Sequence, residues 1–187
     1  ELKGVTVNIS TGTVKLSTGK MSSRDGDVIE IAWLFDQFKD AIRARDGEPT
    51  DEIVAGALRY QFLRVKIGSD VVFDINEAVS LTGNTGSYLQ YAHARARRIL
   101  EKISGPIETP KVINSEDRAL VRKLGEYHEV VETAVSSLEP HHVRNYMFEL
   151  AQEFNRYYEK NHVLGSDHEQ HRAGLVALYA DTLKAGL

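Results

Sequence analysis

The chain has 187 residues, a formal net charge of −4, no cysteine, and 42% hydrophobic and 27% charged residues. This length supports one or two domains with a sizeable core, and the balance of residue types is that of an ordinary globular protein. The composition excludes disulfides, thiolate metal sites, a membrane-spanning run and a strongly basic nucleic-acid binder. We therefore expect a cytoplasmic protein without membrane or DNA partners. Any RNA-binding surface on it would be a local patch.

The first thirty residues predict short strands around a glycine-bounded loop. Apolar residues alternate with polar ones at positions 5–9, recur at 14–16 and resume at 28–31. In the loop, Lys20 carries a flexible positive charge that can reach phosphate oxygens, and Ser22 and Ser23 offer hydroxyl and N–H groups. Taken alone, a five-residue pattern of this kind is more often a polar turn than a phosphate site.

Two helices are predicted next. Apolar residues at helical spacing indicate one helix over positions 31–45 and a second over 51–66. Thr50 is the expected N-cap of the second helix, because its hydroxyl can accept a hydrogen bond from an N–H of the first turn. The segment 71–73 is predicted to be a short extended linker, at which we place a domain boundary.

The remainder predicts four helices with short connections: one over 85–103, one from Ser115 to about Leu138, one beginning near Pro140 and one after Gly165. Each has a single apolar stripe, and an antiparallel bundle buries four such stripes most simply. The expected fold class is therefore mainly α, with a small α/β unit over residues 1–70 followed by a helical bundle over 71–187.

The helix over 85–103 has two distinct faces. Its predicted buried stripe consists of Leu89, Ala92, Ala96, Ile99 and Ile103. An adjacent face carries Tyr88, Tyr91, Arg95, Arg98 and Lys102. Cations interleaved with tyrosines suit RNA phosphates and unstacked bases. Charged helix faces are more often plain solvated surface, so the pattern alone favours that interpretation.

Three segments together resemble the arginyl-tRNA synthetases. Residues 19–24, Gly-Lys-Met-Ser-Ser-Arg, resemble the KMSKS loop of class I aminoacyl-tRNA synthetases. Residues 84–95, Asn-Thr-Gly-Ser-Tyr-Leu-Gln-Tyr-Ala-His-Ala-Arg, resemble the start of the arginyl enzymes' anticodon-binding domain, and residues 145–155 resemble its penultimate helix. The run at 84–95 is the specific part, because methionyl, cysteinyl and glutamyl enzymes carry the loop without it.

The resemblance implies a parent arginine–tRNA ligase, which activates arginine with ATP and Mg and transfers it to arginine-specific tRNA. It implies an ATP-binding loop of Gly19, Lys20, Met21, Ser22, Ser23 and Arg24, in which Lys20, Ser22 and Ser23 are catalytic. It implies tRNA contacts by Tyr88, Gln90, Tyr91, Arg95, Arg98 and Lys102. The family's His-Ile-Gly-His motif does not occur in these residues. We therefore expect a C-terminal part that is inactive and binds no cofactor alone, and whose partner is an N-terminal catalytic domain.

Two other functions stay open from the sequence. The chain could be a stand-alone tRNA-binding or protein-interaction module without catalysis. It could also be a helical interaction module in which the loop is coincidental, although the run at 84–95 argues against this.

The seven histidines include an adjacent pair, His141 and His142, and a pair three residues apart, His168 and His171. The second pair is one residue too close for the zinc-protease spacing, which places its histidines four apart. No third ligand follows in a recognisable zinc pattern. From the sequence we therefore expect no metal site.

Overall fold

The computed structural model describes residues 7–10, 12–17, 19–20 and 30–187, with only the backbone at 19–20. The described elements, in chain order, are β1 (Val14–Leu16), β2 (Gly19–Lys20), α1 (Ile31–Arg43), α2 (Asp51–Phe62), β3 (Val71–Phe73), α3 (Ile75–Ala78), α4 (Gly86–Leu100), α5 (Arg118–Gly125), α6 (Tyr127–Ser137), α7 (His141–Lys160) and α8 (Glu169–Gly186). The predicted fold class, mainly α with a small α/β unit, is confirmed. Of the helices in the described ranges, none has the length and apolar character that crossing a bilayer requires.

The predicted linker at 71–73 is in fact a strand. β3 pairs in parallel with β1, and β1 pairs antiparallel with β2, so the strand order is β2-β1-β3. The Val71 N–H donates to the Thr13 carbonyl at 2.9 Å, and the Ser17 N–H donates to the Phe73 carbonyl at 2.7 Å. Val71 and Phe73 are buried and Val72 is exposed, as expected for a strand with one covered face.

α1, α2 and β3 surround the first core. Its fully buried side chains include Phe38 of α1, Val54 of α2 and Phe73 of β3. Thr50 is the N-cap of α2, as predicted, and its hydroxyl accepts a hydrogen bond from the Ile53 N–H at 3.3 Å. β3 and α3 also pack into this core, although they follow position 70. The domain boundary between residues 70 and 71 stays a prediction.

α4, α7 and α8 form the centre of the second core. At its middle the rings of Phe154 and Tyr179 stack with their centroids 3.8 Å apart and their planes 5° apart. Leu89, on the predicted apolar stripe of α4, is fully buried, whereas Ile103 is only partly buried. The helical bundle expected from the apolar stripes is thus the observed architecture.

The prediction of one helix over 115–138 is wrong. The chain breaks at Glu126 into α5 and α6, and the Tyr146 hydroxyl of α7 donates to the Lys123 carbonyl at 2.7 Å. This bond satisfies a carbonyl that the interrupted helix leaves free. Beyond the break, Val135 of the predicted apolar stripe is 68% exposed. Leu138 ends α6 in the left-handed region, with φ of 58°.

His93 of α4 makes stability depend on pH. Burial lowers the pKa of His93 below its ordinary 6.5, Arg97 and Lys184 lower it further, and Asp181 partly offsets them. The unfolded chain therefore binds a proton at higher pH than the folded chain does. The contribution of His93 to the free energy of unfolding is fully present above pH 6.5, and it is lost as the pH drops through 6.5 toward the lower folded pKa.

We expect His93→Leu to flatten the acid side of the stability profile, because leucine has no proton to bind. Urea denaturation between about pH 7.5 and about pH 5.5 measures the slope. His128→Leu is the control, since His128 is 83% exposed beside Glu132 on α6. Equal slopes for the wild type and His93→Leu would contradict the assignment.

Candidate nucleic-acid interface

α4 begins in close contact with α2. A Cβ at Gly86 would lie 2.8 Å from Tyr60 Cβ and 3.0 Å from Ala57 Cα, so a larger residue would push the two helices apart. Thr85 is the N-cap, and its hydroxyl accepts a hydrogen bond from the Tyr88 N–H at 3.0 Å. This close approach fixes the direction in which each face of α4 points.

Tyr88 and Arg95 lie one above the other on the side of α4 that faces α7. The Tyr88 ring packs edge-on against Phe148, with a centroid distance of 5.8 Å, and its hydroxyl accepts a hydrogen bond from the Asn155 amide. The Arg95 guanidinium lies 4.8 Å from the centre of the Tyr158 ring. We call Tyr88, Arg95, Phe148, Asn155 and Tyr158 the aromatic–arginine cluster.

The cluster packs on the stacked rings of Phe154 and Tyr179 at the centre of the bundle. Phe154 lies beneath Tyr158, with their ring centroids 6.0 Å apart. Burial raises the pKa of Tyr179, which the nearby Tyr88 raises further and Arg95 lowers. The Tyr179 hydroxyl is buried and has no hydrogen-bond partner in the described part of the chain. The cluster is therefore supported from below by rigid, well-packed aromatic rings.

Sequence reasoning missed the α7 half of this cluster. The resemblance at 145–155 covers part of this helix, but it does not single out Phe148 or Asn155, and the sequence predicts Tyr158 in the core or at its edge. All three are half-buried, and Tyr158 packs against the edge of the core as predicted. The available signal is their spacing, since positions 148, 155 and 158 share one side of a helix.

The other predicted tRNA contacts lie outside the aromatic–arginine cluster. Arg98, near the end of α4, and Lys102, just beyond it, are both exposed. Tyr91, 47% exposed, lines a groove with Ile42 and Arg45 of the first unit. Gln90 faces α2, where its amide donates to the Ile53 carbonyl at 3.4 Å, so the structure does not bring it to the cluster.

A buried arginine joins the first unit to the bundle. Arg144 of α7 is 6% exposed, its guanidinium lies 4.2 Å from the centre of the Tyr60 ring, and it donates to the Asn84 carbonyl at 3.2 Å. Tyr60 also donates from its hydroxyl to the Asn84 side chain, and burial raises the pKa of Tyr60 to about 12. The run at 84–95 thus begins at the contact between the two units.

The predicted ATP-binding loop is only partly within the described residues. The backbone of Gly19 pairs with Leu16, and that of Lys20 pairs with Lys15, in the β1–β2 hairpin. Met21, Ser22, Ser23 and Arg24 lie outside the described residues. The catalytic roles of Lys20, Ser22 and Ser23 therefore stay predictions.

The two histidine pairs have different surroundings. His171 Nε2 lies 2.7 Å from the buried Asp117 carboxylate, which also accepts a hydrogen bond from the Tyr157 hydroxyl at 3.1 Å. This network ties the segment before α5 to α7 and α8. His141 and His142 instead lie beside Glu139, in the group of described residues whose ligand atoms could meet around one metal ion.

Comparisons with known proteins agree with the resemblance. The profile of the DALR anticodon binding domain matches residues 89–187. Arginine–tRNA ligase of Porphyromonas gingivalis is 32% identical over 193 aligned residues, covering 92% of this chain and 32% of that relative. The chain thus spans about a third of the length of the curated relatives it matches.

Superposition on solved structures points to the same family. Arginyl-tRNA synthetase of Thermus thermophilus superposes with a TM-score of 0.82 at 28% identity, over 95% of this chain and 33% of that one. The Plasmodium falciparum enzyme, at 19% identity and a TM-score of 0.75, supports the fold alone. The chain therefore belongs to the arginyl-tRNA synthetase family, within which it corresponds to the C-terminal region that carries the DALR anticodon-binding domain.

Proposed function

We propose that this chain is the C-terminal part of an arginine–tRNA ligase, in which the bundle binds the anticodon arm of arginine-specific tRNA. The observation that carries the proposal is the aromatic–arginine cluster, where Arg95 covers the Tyr158 ring and Tyr88 packs against Phe148. Four of the five cluster residues lie within the region that the anticodon-binding profile matches, and Tyr88 directly precedes it. In the parent enzyme, arginine would be activated with ATP and Mg and then transferred to the tRNA.

The chemistry of the cluster suits an unstacked nucleotide loop. The Arg95 guanidinium, held over the Tyr158 ring, and the Tyr88 ring, held against Phe148, offer stacking surfaces that lose little entropy when a base binds. Each base–aromatic contact contributes about 1–3 kcal/mol. Asn155 already bonds Tyr88, so it can also read a base edge from a fixed position. Arg98 and Lys102 continue the line of positive charge toward phosphates. Because the whole chain is acidic, with a net charge of −4, this local line would carry the electrostatic attraction.

The second part of the proposal concerns the predicted ATP-binding loop at residues 19–24. Lys20, Ser22 and Ser23 would stabilise the pyrophosphate leaving group as it gains charge. By themselves these 187 residues would not charge tRNA, because they span about a third of such a ligase and charging requires arginine and ATP to be held together. Arginine-dependent pyrophosphate exchange by the purified chain alone would overturn this part.

Removing two arginines of α4 tests the RNA face. We expect Arg95→Ala combined with Arg98→Ala to weaken binding of arginine-specific tRNA by about tenfold or more, and to reduce the salt slope by about one for each phosphate that is no longer neutralised. The fold should remain, since both side chains are exposed. Fluorescence anisotropy with labelled tRNA at several salt concentrations measures both quantities.

The matched control removes two arginines elsewhere. Arg118→Ala combined with Arg122→Ala deletes the same charge from exposed positions on α5, so it should leave affinity within about twofold if the α4 face is specific. Arg95→Lys separates charge from stacking, because an ammonium cannot lie flat on the Tyr158 ring as a guanidinium does. Equal weakening in both double variants would show that tRNA senses only total charge, and unchanged binding in the α4 variant would exclude this face.

A further inference from the structure

We propose that Glu139, His141 and His142 form a binding site for a divalent transition metal of the zinc class. The three side chains each offer one ligand atom, and these atoms all lie within 4.8 Å of one another. The group lies at the turn between α6 and α7 and shares no residue with the predicted ATP-binding loop or the aromatic–arginine cluster. The proposal therefore stands or fails independently of the proposed tRNA function.

The backbone brings the three residues together. Leu138 takes a left-handed conformation that ends α6, and Pro140, with φ of −64°, leads directly into α7. The Glu139 N–H is held by the Ala134 carbonyl at 3.0 Å, so the carboxylate extends beside the first turn of α7. The rings of His141 and His142 have centroids 4.2 Å apart and planes 32° apart. A turn residue thus supplies the third ligand, which helical spacing could not reveal.

The hydrogen-bonding atoms of these side chains do not all have good partners in the protein. His141 Nδ1 is buried and has no hydrogen-bond partner within the described ranges. Such a buried polar atom carries a desolvation cost that a metal–ligand bond would remove. His142 Nε2 lies 3.3 Å from one Glu139 oxygen, which is long for a charge-assisted hydrogen bond. A metal between these groups would use one ligand atom from each of the three side chains.

A neighbouring lysine orients the carboxylate. Lys66, after the end of α2, lies 3.2 Å from the other oxygen of Glu139, so a metal could take the oxygen beside His142 while that contact remains. Carboxylate ligands commonly carry an outer partner of this kind.

The ligand set selects the class of metal. Two imidazoles and a carboxylate suit Zn²⁺, Ni²⁺ or Cu²⁺, whereas Mg²⁺ and Ca²⁺ prefer oxygen ligands. Three protein ligands leave a fourth position for water. The positive end of α7 and the Lys66 charge oppose a cation, so we expect an exchangeable site. A bound metal would fix the first turn of the helix that carries Arg144, one turn from the junction with the first unit.

The test uses the chain and zinc chloride alone. Isothermal titration at about pH 7.5, where free imidazoles are mostly neutral, should show one equivalent of Zn²⁺ bound, reversal by a chelator and no binding of Mg²⁺. Glu139→Gln, His141→Ala and His142→Ala should each weaken Zn²⁺ binding by about tenfold or more. His128→Ala and His168→Ala are matched histidine controls that should leave binding unchanged.

Thermal melting and ring-proton NMR keep the test decisive if one variant folds poorly. Zn²⁺ should raise the melting temperature of the wild type and of both control variants, but not that of Glu139→Gln. Zn²⁺ should also shift the wild-type His141 and His142 ring resonances before those of the other histidines. The proposal is overturned if no stoichiometric binding occurs, if Glu139→Gln binds as tightly as the wild type, or if His168→Ala alone abolishes binding.

Discussion

In the proposed arginine–tRNA ligase, Lys20→Ala should lower kcat and kcat/KM together by about 10²–10³-fold, or roughly 2.7–4 kcal/mol. The physical reason is that a lysine in this loop would meet charge that develops on the departing pyrophosphate. An interaction made mainly in the transition state affects kcat, whereas one made equally with bound ATP affects KM. Steady-state and single-turnover charging assays separate the two. KM for ATP should change less than kcat.

Three comparisons sharpen this prediction. Lys20→Arg should restore only part of the rate, because a planar guanidinium is not a compact point charge. Lys15→Ala is the matched control, since Lys15 sits opposite Lys20 in the β1–β2 hairpin and forms an ion pair with Asp70. It should leave kcat unchanged. Binding of the anticodon arm should be normal in both alanine variants. A Lys20→Ala enzyme with normal kcat and only a raised KM would make Lys20 a ground-state ATP contact.

The second large effect is on stability. Phe154→Ala should reduce the free energy of unfolding by about 3–5 kcal/mol, because it opens a cavity under a stacked ring in a fully packed core. Phe154 is 1% exposed and Tyr179 is fully buried, with their rings 3.8 Å apart. For a chain of this size the melting temperature should fall by roughly 6–20 °C. Urea denaturation and thermal melting measure the two quantities.

Matched variants identify the cause of this destabilisation. Phe35→Ala makes the same substitution at a half-buried position of α1, so its cost should be clearly smaller. Phe154→Leu keeps most of the volume and should recover much of the stability. Because Tyr158 rests on Phe154, Phe154→Ala should also weaken tRNA binding while the protein is still folded. If Phe154→Ala cost no more than Phe35→Ala, the stacked pair would not be the centre of the bundle.

The separation of these two effects follows from where each residue acts. Lys20 belongs to the loop and should leave the bundle's stability untouched, whereas Phe154 lies in the bundle and should leave the catalytic step untouched once tRNA is saturating. The melting temperature and the rate of tRNA charging should be measured for both variants. The Lys20→Ala variant is then the control for the loss of stability, and the Phe154→Ala variant is the control for the loss of catalysis. A fall in melting temperature for Lys20→Ala would contradict this separation.

The sequence alone determined the features that depend on neighbours along the chain. Thr50 caps α2, and Leu89, Ala92 and Ala96 form the buried stripe of α4, as their spacing predicted. Helical periodicity repeats every few residues, so a short window contains the whole signal. The run at 84–95 identified the family for a similar reason. Its threonine satisfies a local requirement, the N-cap of α4, whereas its glycine permits the close contact of α4 with α2.

The tertiary structure decided the features that depend on residues distant in sequence. Val71–Phe73 is a strand because β1 pairs with it from more than fifty positions earlier. α5 and α6 separate at Glu126, where Tyr146 of α7 supplies the donor for a carbonyl that the interruption leaves free. Tyr88 and Arg95 acquired their partners Phe148, Asn155 and Tyr158 only when α4 packed against α7, and Glu139 reached His141 and His142 through a left-handed turn. Such contacts carry no period in the sequence, because the packing of whole elements selects them.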